Sequence, residues 1–188
     1  MRSLFVSTVL VLGAGAADAA LMARITPNAS GGIDIAFSGS DVARETGAFE
    51  PRPILSDGDA FLDVGDYVNS ISATEFTPVA GSATISVDGE TVGIDTIYVD
   101  DDAGGADDFG VGGDDTAEFE LGVLVAWSGL LSFEIPFSAF NPGTYGSSNF
   151  GGNGDTLSFQ LQVGEVPLPA PVLLLLSGLG VLALRRRL

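Results

Sequence analysis

Thr156-Leu157-Ser158-Phe159-Gln160-Leu161-Gln162-Val163 alternates apolar and polar side chains. Leu157, Phe159, Leu161 and Val163 fall on one side of an extended chain, and Ser158, Gln160 and Gln162 on the other. Period two is the signature of a strand with one face in a core and one in water. The pattern recurs upstream. Ile33, Ile35 and Phe37 alternate with Asp34, Ala36 and Ser38; Ile85 and Val87 with Thr84, Ser86 and Asp88; Phe133, Ile135 and Phe137 with Ser132, Glu134 and Pro136. Away from its two ends the chain has no long amphipathic helical segment, and 26 glycines and 9 prolines punctuate it. Short alternating strands between turn signals predict an all-β domain, a single antiparallel β-sandwich of jelly-roll or Ig-like type. Roughly eight to ten strands of about five residues are expected.

Turn chemistry refines this. Asp88-Gly89 lies between two alternating runs and fits a two-residue hairpin turn. Ser128-Gly129 suggests a second hairpin, flanked by Trp127, which reads as a packing residue. Ile94 and Ile97 are out of phase, which predicts a bulge or a change of face. Ala48–Ser56, with Pro51 and Pro53, reads as a loop, and Gly143–Gly154 as a long turn. Tyr98 and Tyr145 would be sugar-stacking platforms only if exposed.

The two ends carry addresses. Met1-Arg2, the apolar stretch Leu4–Leu12 and the small-residue run to Ala17-Asp18-Ala19 form a signal peptide, with cleavage by signal peptidase predicted before Ala20. At the other end Val166-Pro167-Leu168-Pro169-Ala170 precedes Pro171, an apolar run of 13 residues from Val172 to Leu184, and Arg185-Arg186-Arg187. Thirteen residues are short for a span, which takes about 20, but the uncharged stretch reaches back to Val166. The arginines act as a stop that stays cytoplasmic, leaving everything before Val166 outside the inner membrane. A processing motif beside a hydrophobic tail has the logic of a removable anchor. The chain therefore divides into a signal peptide (1–19), an exported domain (20–165) and a C-terminal sorting tail with a transmembrane helix (166–188).

On these residues, together with Ser177-Gly178-Leu179-Gly180, the tail resembles the VPLPA variant of the PEP-CTERM sorting signal. Asn141-Pro142-Gly143-Thr144-Tyr145 and Asp155-Thr156-Leu157-Ser158-Phe159 resemble the segment that commonly precedes such tails. The commoner signal has Glu between its two prolines, where this chain has Leu168. The resemblance implies recognition by exosortase, a membrane protease-transpeptidase. It further implies transient anchoring, loss of the hydrophobic tail, and release or attachment at the cell surface. It also implies an association with exopolysaccharide or biofilm matrix.

Composition limits the chemistry. The chain has no Cys, no His and no Lys; all 7 basic residues are Arg. Ser-His, Cys-His and Ser-Lys nucleophile systems, Schiff bases and imidazole or thiolate zinc sites are therefore excluded. Catalysis would have to use carboxylates alone, as in a glycoside hydrolase, with two acids at a set separation in a cleft. The expectation is that the chain is not an enzyme. Between Ala20 and Glu165 only Arg24, Arg44 and Arg52 balance 24 Asp and Glu. Such a surface repels nucleic acid, anionic lipid and acidic polysaccharide unless cations bridge them.

Asp100–Asp115 is the densest acidic stretch, with seven carboxylates in 16 residues interleaved with glycines. Calcium takes six to eight oxygens at flexible geometry, and Gly lets backbone carbonyls turn inward. Asp100, Asp102, Asp107, Asp108, Asp114 and Asp115 are the candidate ligands, with calcium as the cation. No EF-hand spacing is present: counting from Asp100, the twelfth residue is Val111. A solvated acidic loop is the competing reading.

Three functions stay open. One is a non-catalytic structural or interaction protein of the cell surface or extracellular matrix. A second is a calcium-dependent carbohydrate-binding module or adhesin, and a third a carboxylate-only hydrolase.

Overall fold

The computed structural model describes residues 20–49, 51, 61–72, 74–101, 107–147 and 156–164. They fold as twelve strands and one turn of 3₁₀ helix. In chain order the strands are β1 (Ala20–Pro27), β2 (Ile33–Val42), β3 (Gly47–Phe49), β4 (Phe61–Gly65), β5 (Thr74–Phe76) and β6 (Ala80–Val87). They continue with β7 (Glu90–Asp100), β8 (Asp107–Gly113), β9 (Ala117–Phe119), β10 (Leu124–Phe133), β11 (Gly143–Ser147) and β12 (Phe159–Val163). The domain is all-β, as the alternation predicts.

Ten strands form one sheet in the order β11-β12-β1-β2-β10-β6-β7-β8-β4, with β5 paired to β7; β3 and β9 form a separate pair. Consecutive strands are mostly antiparallel. The exception is β1 beside β12, which run parallel, with Leu21 opposite Phe159 and Ile25 opposite Val163. The expectation of a purely antiparallel sheet is corrected there. The first and last strands of the domain close on each other, and two strands so far apart in sequence are free to pair in either direction.

The sheet curls into a near-barrel. Its two end strands, β11 and β4, return against each other, and the Tyr145 ring lies 6.2 Å from that of Tyr67 just beyond β4. The interior confirms the curl. β12 and β8 are far apart in strand order, yet Phe159 stacks on Phe109 at 5.6 Å. A file of rings runs from Phe37 to Trp127 (5.1 Å), to Phe159 (5.4 Å), to Phe109, and on to Tyr67 (6.1 Å). Fully burying one such side chain stabilises by about 1.5–3 kcal/mol. The ion pair of Arg44 with Asp41 at 3.0 Å has a half-exposed arginine and is worth no more than about 1 kcal/mol. Apolar burial therefore holds this cysteine-free fold.

Most alternating residues are buried where period two puts them, but β10 ends at Phe133 with Phe137 on the 3₁₀ turn, and Leu157 lies just ahead of β12. Ile33, Ile35, Phe37, Ile85, Val87, Phe133, Leu157, Phe159, Leu161 and Val163 are buried. Curvature comes from glycine. Gly129 has φ +130°, and a Cβ there would lie 2.3 Å from the Ser82 carbonyl oxygen and 2.4 Å from Ala83 Cα. In register, Gly129 lies opposite Phe37, a large residue beside an empty position. A glycine kink next to an aromatic lets a strand bend without leaving a void.

Several turn expectations change. Asp88-Gly89 does form the hairpin, with both residues at positive φ (47° and 88°) and Val87 opposite Glu90. Ser128-Gly129 does not turn; β10 runs straight through it, paired on both sides. Glycine there marks a bend, not a reversal. The register shift between Ile94 and Thr96 is the expected bulge. Gly47–Phe49 and Gly143–Ser147 are strands, in regions where proline and glycine suggested loop and turn.

Candidate functional site

The acidic stretch is not one loop. Asp100 ends β7, and Asp107 and Asp108 open β8 with Asp108 opposite Asp100. Asp114 and Asp115 lie beyond the far end of β8. Six strand residues from Asp108 to Asp114 place these groups roughly 20 Å apart. Five of the candidate calcium ligands thus split between the two ends of a strand and cannot share one ion; the sixth, Asp102, lies outside the described residues. Alternation of acids with glycine and Phe109, Val111 was a strand signal in itself, and the density of charge obscured it. Among the described residues no three or more acidic side chains gather as metal ligands.

The carboxylates instead hold backbone. Asp107 is buried, and its Oδ2 accepts the Val68 amide at 2.8 Å. Asp101 Oδ2 accepts the Ser70 amide at 2.5 Å, and its own amide donates to the Ile71 carbonyl. The buried Tyr67 hydroxyl donates to the Asp108 carbonyl at 2.8 Å, and Tyr98 to Asp100 Oδ2 at 3.0 Å. At the other end Asp114 Oδ1 accepts the Gly93 amide and Asp115 Oδ1 the Thr116 amide, each at 2.8 Å. A segment leaving β4 has amides that no ladder satisfies, and the β7–β8 strand pair supplies the acceptors.

Burial sets the electrostatics of this cluster. Desolvation raises the Asp107 pKa; the Val68 and Tyr67 amides pull it down, and Asp66 and Asp101 push it up. Burial also raises the Tyr67 phenol well above its usual value, reinforced by Asp107 and Asp108. Tyr145 moves the same way, by burial and then by Asp66 and Asp107. Tyr98 is buried, and Tyr145 spends its hydroxyl on the Asn141 carbonyl at 2.9 Å, so neither is an open sugar platform. Trp127 is core, with its indole N–H donating to the Ser38 carbonyl.

Beside the cluster is a groove of about 460 Å³ lined by Asn69, Ser70, Ile71, Phe76, Glu134, Ile135 and the 3₁₀ turn. Apolar walls with a few polar groups are the composition of a small-ligand groove. Ser70 sits in it at φ +64°. Glu134 is the one carboxylate in this lining, so a two-acid hydrolytic pair is not assembled there. A second cavity, of about 300 Å³, is ringed by Asp88, Glu90, Glu118 and Glu120. Sequence reading did not find it, because two pairs about 30 residues apart meet only through packing of β6 on β9. Its exposed carboxylates can concentrate cations loosely.

The remaining sequence-derived sites fall at the chain ends. Ala20 is the first residue of β1. Ala17 and Ala19, the motif Val166–Ala170 and Arg185–Arg187 lie outside the described residues. Among the described residues no helix is long and apolar enough to cross a membrane. No family model matches the chain, and no curated protein or solved structure matches it either.

Proposed function

We propose that this chain is an exported, non-catalytic structural or interaction protein, sorted by its C-terminal tail to the cell surface or extracellular matrix. The tail carries the reading: Val166–Ala170, the apolar run and Arg185–Arg187 form a removable anchor, with an exosortase-type enzyme as the partner. Before processing, the tail helix holds the protein in the inner membrane; afterwards the domain is free to associate with exopolysaccharide. The near-barrel is read as a flattened sandwich, with β12-β1-β2-β10 facing β6-β7-β8-β4 across the aromatic file. Substituting Pro167→Ala with Pro169→Ala in the full chain tests the motif. The expected result is retention in the inner-membrane fraction with the tail attached; unchanged release would overturn the reading.

A second reading, a carbohydrate-binding module, is favoured by the groove that Phe76 lines together with Asn69 and Glu134. Selective spots on a glycan array, lost in Phe76→Ala, would support it, and an array without selective spots would dismiss it.

A further inference from the structure

We infer that the groove at the 3₁₀ turn seats the chain's own motif, Val166–Ala170, while the tail is uncut; the inference rests on the proposed reading of that motif as the processing signal. The groove has about 460 Å³ and is lined by Asn69, Ile71, Phe76, Ile135, Pro136 and Ala139, among others. A smaller cavity of about 250 Å³ shares Glu134 and Pro136 with it and reaches Ser30–Gly32, between β1 and β2. The chain leaves the fold at this same end. Gly164, just after β12, donates its amide to the Ile25 carbonyl at 2.9 Å and stands against Pro142. Next to Pro142, Asn141 Oδ1 accepts Asn69 Nδ2 at 2.6 Å, and the Asn69 amide donates to the Ala139 carbonyl at 2.7 Å. Asn69 and Ala139 are walls of the groove, so a short chain of contacts joins the exit to it.

The place of the exit selects the occupant. Residues 165–188 follow Gly164, and prolines at 167, 169 and 171 favour an extended course. At about 3.1 Å per residue the motif, two to six residues beyond Gly164, reaches roughly 6 to 19 Å from it. Ala139, three residues before Pro142, is at most about 11 Å from that proline. The motif therefore spans the gap. Its chemistry suits the walls: it is uncharged, and Pro167 and Pro169 bring no amide N–H to be buried unpaired. Grooves lined by aromatic side chains take such proline-rich segments, and Phe76 is the aromatic here. Other segments outside the described residues fit less well. Residues 1–19, 52–60 and 148–155 join the fold toward its opposite end, at Ala20, Phe61 and Ser147. Residues 102–106 join at the groove end but offer only alanine and glycine beside Asp102. Tethering sets the strength required. A short linker holds the motif at an effective concentration of about millimolar, so a weak groove is enough to be filled. A seated motif is withheld from a protease until it leaves the groove.

Because the chain has no cysteine, a pair of introduced cysteines reads the contact directly. The full chain with Ser138→Cys and Ala170→Cys is purified in detergent, oxidised at low concentration and mapped by peptide mass. Ser138 is exposed and lines the groove. The expected product is a disulfide within one chain. A control pair, Thr144→Cys with Ala170→Cys, keeps the same tether. Thr144 is exposed on β11 beside the same exit but does not line the groove, and its disulfide should be largely absent. Adding Leu168→Glu to the Ser138 pair sets a charge against the apolar walls and Glu134, and the disulfide should be lost while the sheet's own residues are unchanged. No sorting enzyme is present, so failure here speaks of docking alone, and the Pro167→Ala, Pro169→Ala variant speaks of processing. Four results would overturn the inference: no disulfide from the Ser138 pair, an equal yield from the Thr144 pair, a disulfide that survives Leu168→Glu, or one formed only between two chains.

Discussion

Gly129 and Gly89 both have positive φ, but for different reasons. At Gly89 a Cβ would meet nothing within 4 Å. Gly89→Ala therefore carries only the conformational cost, about 1–2 kcal/mol. At Gly129 the Cβ would strike backbone on β6, which cannot move without breaking the ladder. Gly129→Ala is expected to cost more, roughly 3–4 kcal/mol or loss of the fold. Urea melts followed by Trp127 fluorescence decide this, and equal losses at the two sites would refute the steric account. Asp107 gives a second residue-scale prediction. Asp107→Ala leaves the Val68 amide buried without its acceptor, at a cost of about 1–3 kcal/mol. Its pH dependence has a definite sign. Folding raises this pKa, so between about 3.9 and the folded value the native state binds the extra proton. The group's contribution is full below that window and is lost as pH rises through it. Asp107→Asn should flatten that slope in urea midpoints measured from pH 4 to 7; an unchanged slope would place the titration elsewhere.

At the level of elements, the junction of β2 with β12 rests on Asp41. Its carboxylate accepts the Val42 amide at 2.9 Å and the Ser158 amide at 2.6 Å, and pairs with Arg44. Asp41→Ala removes acceptors from two amides, whereas Arg44→Ala removes a half-exposed partner. The expected losses are about 2–4 kcal/mol for the first and about 1 kcal/mol or less for the second, by chemical denaturation. A larger loss for Arg44→Ala would reverse the assignment. Such junctions also show what was legible beforehand. The runs at Ile33–Phe37, Thr84–Val87 and Leu157–Val163 were readable, because period two depends only on neighbours. The Asp88-Gly89 turn was readable for the same reason. Which strand lies beside which was not, since the parallel pairing of β1 with β12 is fixed by a core assembled from distant segments. Ser128-Gly129 misled because glycine serves reversal and curvature alike. The acids misled because charge density says nothing of which amides the carboxylates will meet.

Over the whole molecule, a strongly acidic sheet is wrapped round an aromatic core, and several of its described carboxylates, Asp41, Asp101, Asp107 and Asp114 among them, accept backbone amides. Divalent cations then act on it mainly by screening. Calcium should raise the melting temperature no more than magnesium at equal ionic strength, and a calcium-selective rise would restore a specific site. On the proposed reading, the two ends of the chain determine where the domain goes. The central claim is that the tail is an anchor to be removed. The intact mass of the mature protein, purified by fraction from its native host, tests it most directly. The account predicts a species beginning at Ala20 and ending near Val166–Ala170, outside the inner membrane. A species that retains Leu188 in the inner membrane would contradict it.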